Sequence, residues 1–255
     1  GLLGGHWGIQ GRLSNLGSDG YKDRASAKLN SYFVQAGYFA DNTIVKFVTF
    51  NGTERTYHAW DLASKYAQSL YGRTYNPSGK MEKDANGNAQ FYRDQTDNYH
   101  QQHYQLFWNQ YLNKDWTLNV ALHYTNGKGY YEQYKKDKKL LDYGLDANKT
   151  KAKSSLVRQK WLSNDFFGTI ASLHFNNKKN VEATIGGGWN KYDGDHYGFV
   201  TWVAKPVDAY FPYHRYYDNN TKKTDFNVYS KLNYTFVEGL NGFVDLQYRH
   251  VGIKM

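Results

Sequence analysis

Asp193, Asp195 and His196 stand together in a glycine-containing stretch, a set of carboxylate and imidazole donors of the kind that holds a metal ion. The same residues suit a polar turn at the root of a loop, and that is the reading preferred here; no metal site is expected. His100 and His103 are three apart on a strand-like segment, so they point to opposite faces and cannot chelate one ion together. No GxSxG, HExxH, P-loop or dinucleotide-binding glycine pattern is present. Gly186, Gly187 and Gly188 fall within a strand pattern, where missing side chains relieve crowding or permit a bend. With no cysteine, disulfides, zinc ribbons and thiol catalysis are excluded. The chain therefore reads as a non-enzyme without a cofactor.

Aromatic rings with interspersed cations have the better claim to function. They form three clusters: Tyr130, Tyr131 and Tyr134; Trp189, Tyr192 and Tyr197; and Tyr213, Arg215, Tyr216 and Tyr217. Such groups stack on flat ligands or hold anionic ones. The candidate ligand-binding set is Tyr130, Tyr131, Tyr134, Trp189, Tyr192, Asp193, His196, Tyr197, Arg215 and Tyr216. For any one of these residues the competing reading is loop packing or a membrane-interface girdle.

The elements that must position them are strands. Tyr 25, Phe 14 and Trp 7 coexist with a mean hydropathy of −0.82, so aromatics sit among Asn, Lys, Asp and Gly with little aliphatic material for a soluble core. Outer-membrane barrels have this mixture, because one strand face meets lipid while lumen and loops stay polar. No apolar run is long enough for a transmembrane helix. In residues 116–125, Trp116, Leu118, Val120, Leu122 and Tyr124 alternate with Thr117, Asn119, Ala121, His123 and Thr125. At about 3.4 Å per residue and a tilt near 45°, such a segment spans roughly the apolar band of the outer membrane. Residues 181–189 and 226–236 alternate likewise, with Glu182 and Lys231 on the polar face.

Short turns at 40–43 (ADNT), 113–115 (NKD), 176–180 (NNKKN) and 237–241 (VEGLN) join pairs of such segments. Long polar stretches at 51–97, 127–163 and 191–223 separate the pairs and hold all three prolines, Pro77, Pro206 and Pro212. Short turns at one end and long loops at the other are the asymmetry of an outer-membrane barrel. Nine strands are expected, near 5–13, 27–39, 43–50, 98–112, 116–126, 164–175, 181–190, 224–236 and 242–253. Leu62, Tyr66 and Leu70 predict a short helix within the first long loop, part of a lid. The net charge of +9 is dispersed. Its densest run, Lys135, Lys136, Lys138 and Lys139, is broken by Asp137 and reads as a solvated loop, so no nucleic-acid partner is expected.

The stretches DGYKDRASAKLNSYFVQAGY (19–38), TDNYHQQHYQLFW (96–108), ALHYTNGKGYYEQYK (121–135), RQKWLSNDFFG (158–168) and GGGWNKYDGDHYG (186–198) resemble the barrel of TonB-dependent outer-membrane receptors. The resemblance covers nearly the whole chain. It implies an all-β, antiparallel up-and-down transmembrane barrel of 22 strands, of which residues 1–255 would supply about nine, without plug domain, TonB box or closing strand. The partners implied are TonB, reached through a plug outside this segment, outer-membrane lipid and lipopolysaccharide, and a small nutrient ligand. A ferric siderophore or other iron complex is suggested first; cobalamin, haem and oligosaccharide stay open. Two other functions fit the residues: a passive pore or structural barrel without a plug, and a soluble carbohydrate-binding β-protein, whose two-sheet sandwich would show the same alternation.

Overall fold

The computed structural model describes residues 3–146, 151–205, 207 and 210–255. They form one antiparallel sheet of nine strands, each hydrogen-bonded to the next in chain order. The strands are β1 (Trp7–Ser18), β2 (Ala27–Phe39), β3 (Thr43–Tyr57), β4 (Thr96–Tyr111), β5 (Trp116–Lys139), β6 (Lys153–Asn176), β7 (Val181–Val203), β8 (His214–Val237) and β9 (Leu240–Lys254). Among the described residues there is one α-helix, α1 (Lys65–Tyr71), between β3 and β4, and a 3-10 turn at Leu140–Tyr143 follows β5. One up-and-down sheet is the wall of a barrel rather than a two-sheet sandwich, and β1 and β9 are its edges.

The turns follow from side chains that complete the backbone hydrogen bonding locally. Asn177 Oδ1 accepts from the amides of Lys179, Asn180 and Val181, each at 3.0 Å. Asn113 Oδ1 accepts from those of Asp115 and Trp116, and Gly239 adopts φ 81°, a left-handed value that glycine takes without a Cβ clash. All four short turns lie where the sequence places them.

The register carries one face of β5 across the sheet. Trp116, Val120, Leu122 and Tyr124 are flanked by Trp108, Leu106 and Tyr104 on β4 and by Phe175, Ala171, Thr169 and Phe167 on β6. Ile185 and Trp189 on β7, Val228 and Phe226 on β8, and Leu246 and Tyr248 on β9 continue the same face. These side chains pack against no second layer: Ile185 is 57% exposed and Leu246 66%. In water each would forgo about 1.5–3 kcal/mol of burial, which a hydrocarbon layer restores. Aromatics bound the belt below, at Trp7, Tyr38, Trp108, Trp116, Phe175 and Tyr234, and above, at Tyr104, Tyr124, Phe167, Trp189, Phe226 and Tyr248. The opposite face carries Asn119, His123, Asn190, Lys231 and Asp245. There His123 Nε2 and Asn190 Oδ1, two strands apart, meet at 2.7 Å.

Several strands overrun their expected ends. β5 continues thirteen residues past Asn126 to Lys139, β6 begins at Lys153, β7 runs to Val203 and β8 begins at His214. Most of the two stretches expected as loops at 127–163 and 191–223 is therefore strand. The lysine run 135–139 lies on β5 rather than in a solvated loop, with a bulge between Lys135 and Lys138. β3 likewise continues to Tyr57. Pro77 and Pro212 lie between strands, whereas Pro206 lies outside the described residues. The helix is shorter than its segment: Leu62 precedes it, and Leu62, Tyr66 and Leu70 remain exposed, so the stripe is not a packing face. Among the described residues, a cluster of buried apolar side chains, Leu140, Tyr143, Leu145, Leu156, Val200 and Val203, packs at the far ends of β5 to β7.

Candidate ligand-binding site

Beyond the upper aromatic row the sheet keeps its two faces for several more residues per strand. On the polar, inner face, tyrosines pair directly with glycines across the ladder: Tyr99 with Gly129, and Tyr217 with Gly198. A Cβ on Gly129 would fall 2.6 Å from Tyr99 Cδ2, and one on Gly198 2.3 Å from Tyr217 Cε1. Each ring thus lies over the neighbouring strand in the space a side chain would fill. The glycines exist to let these rings lie down against the wall.

Between them stands Lys160 on β6. Its Nζ is 5.9 Å from both the Tyr131 and the Tyr217 rings, in one lateral row running Asp97, Tyr131, Lys160, Gly198, Tyr217. Arg158, one step further up, is held by Gln133 Oε1 at 2.9 Å and by the Tyr143 hydroxyl at 3.2 Å. A cavity of about 440 Å³ is lined by Lys135, Lys138, Arg158, Lys160, Tyr216 and Tyr217 together with Asp142 and Tyr143. Lys160 and Tyr217 also line a second cavity of about 420 Å³, where Tyr99, Tyr131, His196, Glu54 and Asp97 take part. Burial and the crowd of Arg158, Lys138 and Lys160 hold the Lys135 ammonium below its usual range. At the other end, burial and the neighbouring Glu54 push the Asp97 carboxyl up. The basic end is a region of like charge that an anion would relieve. A larger hollow of about 610 Å³ lies along edge strand β1, lined by Arg12, Ser14 and Leu16 among others. One of its walls is that open edge, so its shape depends on whatever stands beside β1.

The candidate set from the sequence divides between the faces. Tyr131, Tyr192, His196 and Tyr216 face inward, while Tyr130, Tyr134, Trp189, Asp193, Tyr197 and Arg215 face outward. Tyr134 is buried there, its hydroxyl donating to Glu82, which also accepts from Ser155 at 2.7 Å. Asp193 and Asp195 are bridged on the outer face by Asn220 Nδ2 at 2.8 and 2.7 Å, while His196 points the other way. These three donors do not converge, and among the described residues no three potential ligands gather around a metal site. His100 and His103 likewise take opposite faces, meeting Thr53 and Thr125 respectively. Tyr99, Arg158 and Lys160 are additions from the structure; their place follows from counting alternate residues outward from the membrane face.

The segment between β3 and β4 straddles the rim. His58 packs on Trp60 at 3.9 Å and edge-on to Tyr131 on the inner side. Tyr92 and Glu82 bond to Glu132 and Tyr134 on the outer side. His58 is 3% exposed with neither ring nitrogen hydrogen-bonded, and burial lowers its pKa to about 4.

No protein-family model matches the sequence, and no curated protein matches it. Solved structures do. Over 99% of this chain and 42% of the other, the sheet superposes on the ferric-catecholate import receptor Fiu from E. coli K12 with a TM-score of 0.64 at 11% identity. It matches the ferripyoverdine receptor of the outer membrane of Pseudomonas aeruginosa over 100% of this chain and 34% of that one, with a TM-score of 0.58 at 9% identity. This is the fold of an outer-membrane receptor barrel. The RagAB peptide transporter shares it, with a TM-score of 0.60 at 13% identity over 97% of this chain and 30% of that one. The receptor-barrel arc described here spans 30–42% of the length of these three chains, and it is the architecture that the motif resemblance to TonB-dependent receptors implies.

Proposed function

We propose that this chain is part of the barrel wall of an outer-membrane import receptor, and that the inner shelf of Tyr99, Tyr131, Lys160, Arg158 and Tyr217 takes part in binding its nutrient. Within the candidate set from the sequence, Tyr131, Tyr192, His196 and Tyr216 belong to this lumenal role. The observation that carries the reading is Lys160 standing between two tyrosine rings on the polar face, above a belt that only hydrocarbon can cover. Aromatic faces and a cluster of cations fit a flat or multiply anionic ligand. A ferric siderophore or other iron complex has that chemistry, and iron complexes are what the printed names of the Fiu and ferripyoverdine receptors specify for those proteins. Energisation by TonB, through a plug outside this arc, belongs to the same proposal.

The test is direct binding by the full-length protein in detergent. Saturable binding of at least one ferric chelate, weakened by Lys160→Gln, is expected. A protein that binds no chelate, corrinoid, haem or glycan is not an importer of this type.

A further inference from the structure

The cavity of about 420 Å³ on the inner face carries opposite charge at its two ends. At one end stand Glu54 on β3 and Asp97 on β4. Glu54 is the register partner of Tyr99, and Asp97 lies two residues along the same strand, so all three share a face. Both acids are half-buried, and among the described residues neither is paired with a lysine or arginine. The basic group that Asp97 does meet is His58, whose Nε2 lies 3.7 Å from Oδ2. That ring is 3% exposed with neither nitrogen hydrogen-bonded, and burial holds it neutral. A buried imidazole is thus aimed at the carboxylate without lending it charge. Asp61, which also acts on His58, is committed to the Ser78 hydroxyl at 2.7 Å. Arg55, next to Glu54 in sequence, faces the other way and pairs with Asp94 at 2.7 Å.

At the opposite end Lys160 has no acid beside it. Its Nζ lies near the Tyr131 and Tyr217 rings rather than against Asp97. Arg158 is held by neutral oxygens, those of Gln133 and Tyr143. The adjoining cavity sets Lys135, Lys138, Arg158 and Lys160 against a single carboxylate, Asp142. Tyr131 separates Asp97 from Lys160 in their lateral row. With neighbouring strands about 4.8 Å apart, the two backbones are about 10 Å apart.

We infer that the nutrient bound on this shelf is zwitterionic: an anionic chelate that also carries a primary amine, its ammonium received by Glu54 and Asp97 and its anionic oxygens by Lys160 and Arg158. The inference rests on the import-receptor reading and narrows it to one ligand chemistry. A purely anionic ligand long enough to cross the cavity would lay negative charge against Glu54 and Asp97. The acid pair therefore rejects what the cations alone would accept. An ammonium placed there finds carboxylates to accept its N–H bonds, and the Tyr99 and Tyr131 rings beside it suit an organic cation. A bare metal ion does not fit, since among the described residues no three potential ligands gather. On this account Lys160 supplies affinity, whereas Glu54 and Asp97 determine specificity.

Isothermal titration of the full-length protein in dodecyl maltoside micelles compares two probes. One is the ferric complex of dihydroxybenzoyl-lysine, whose catecholates are anionic and whose side chain ends in an ammonium. The other is the same complex with that amine acetylated. The amine form is expected to bind at least about 10-fold more tightly. Glu54→Gln and Asp97→Asn should each cut that ratio to about 3-fold or less without weakening the acetylated form. Glu54→Lys should invert the preference, and Lys160→Gln should weaken both forms alike and leave the ratio intact. Three results would each overturn the amine requirement and leave the import reading standing: equal binding of the two forms, binding of amine-free ligands such as ferric citrate only, or a ratio that survives both acid substitutions. A protein that binds none of these, nor corrinoid, haem or glycan, overturns the import reading itself.

Discussion

Replacing Gly129 with alanine puts the inner shelf under a defined strain. The added Cβ would lie 2.2 Å from the Asn98 carbonyl oxygen, 2.6 Å from Tyr99 Cδ2 and 2.7 Å from Tyr99 Cα, against ordinary contacts near 3.5–4 Å. Two of those three atoms are backbone, so swinging a side chain away does not relieve the clash. Overpacking of this kind costs about 1–3 kcal/mol. Displacing the Tyr99 ring also removes the hydrogen bond from its hydroxyl to Asn164 Oδ1 at 3.3 Å, worth about 0.5–1.5 kcal/mol. Together these amount to about 1.5–4.5 kcal/mol. Gly52→Ala on β3 is the matched control, because its Cβ meets nothing within 4 Å. There the loss of glycine entropy predicts a neutral change or a gain of up to about 1 kcal/mol. Urea titration of the detergent-folded protein, followed by tryptophan fluorescence, should give a lowered midpoint for Gly129→Ala with an unchanged slope. A Gly129→Ala midpoint equal to that of Gly52→Ala would show that the ring does not lie over the β5 glycine.

Other expectations follow from the same geometry. Lys160→Gln should weaken binding of an anionic ferric chelate by about 10-fold or more, the loss of one charge-assisted contact, whereas Lys160→Arg should keep most of it; isothermal titration distinguishes them. His58, with a folded pKa of about 4 against 6.5 in the unfolded chain, is neutral in the fold. Its contribution is present above the unfolded pKa and drains away between pH 6.5 and about 4, by a few kcal/mol. Hydrogen exchange in the segment between β3 and β4 should quicken as pH falls through that window, and His58→Phe should flatten the response. Tyr134→Phe should loosen the same segment, since it takes from Glu82 the hydrogen bond donated by a buried tyrosine and leaves the carboxylate with one partner fewer.

The lower halves of the strands were legible in the sequence because lipid enforces a strict alternation there. Asn and Gly turns mark their ends, as at Asn177 and Gly239. Above the membrane no apolar face is required, so GKGYYEQYKKDKK at 127–139 reads as loop although the ladder continues through it. The division of site residues between faces was half legible. Parity carried upward from Tyr124 places Tyr130 outside and Tyr131 inside. On β8 the irregularity opposite Gly198 and Phe199 interrupts that count, and the inward turn of Tyr216 needed coordinates. The Tyr99–Gly129 pair joins residues thirty apart, and nothing local in either segment announces it.

The central claim is that one face of this sheet meets hydrocarbon and the other meets water. Because the chain contains no cysteine, a single cysteine introduced at any position is a unique probe. Spin labels at Leu122, Val228 and Leu246 on one face, and at Asn119, Asn227 and Lys231 on the other, would be read in lipid vesicles. Relaxation by oxygen, which partitions into lipid, is compared with relaxation by a water-soluble nickel chelate. Oxygen should dominate at the first three positions and the chelate at the last three. Equal access of the nickel chelate to both faces would contradict a membrane-spanning wall.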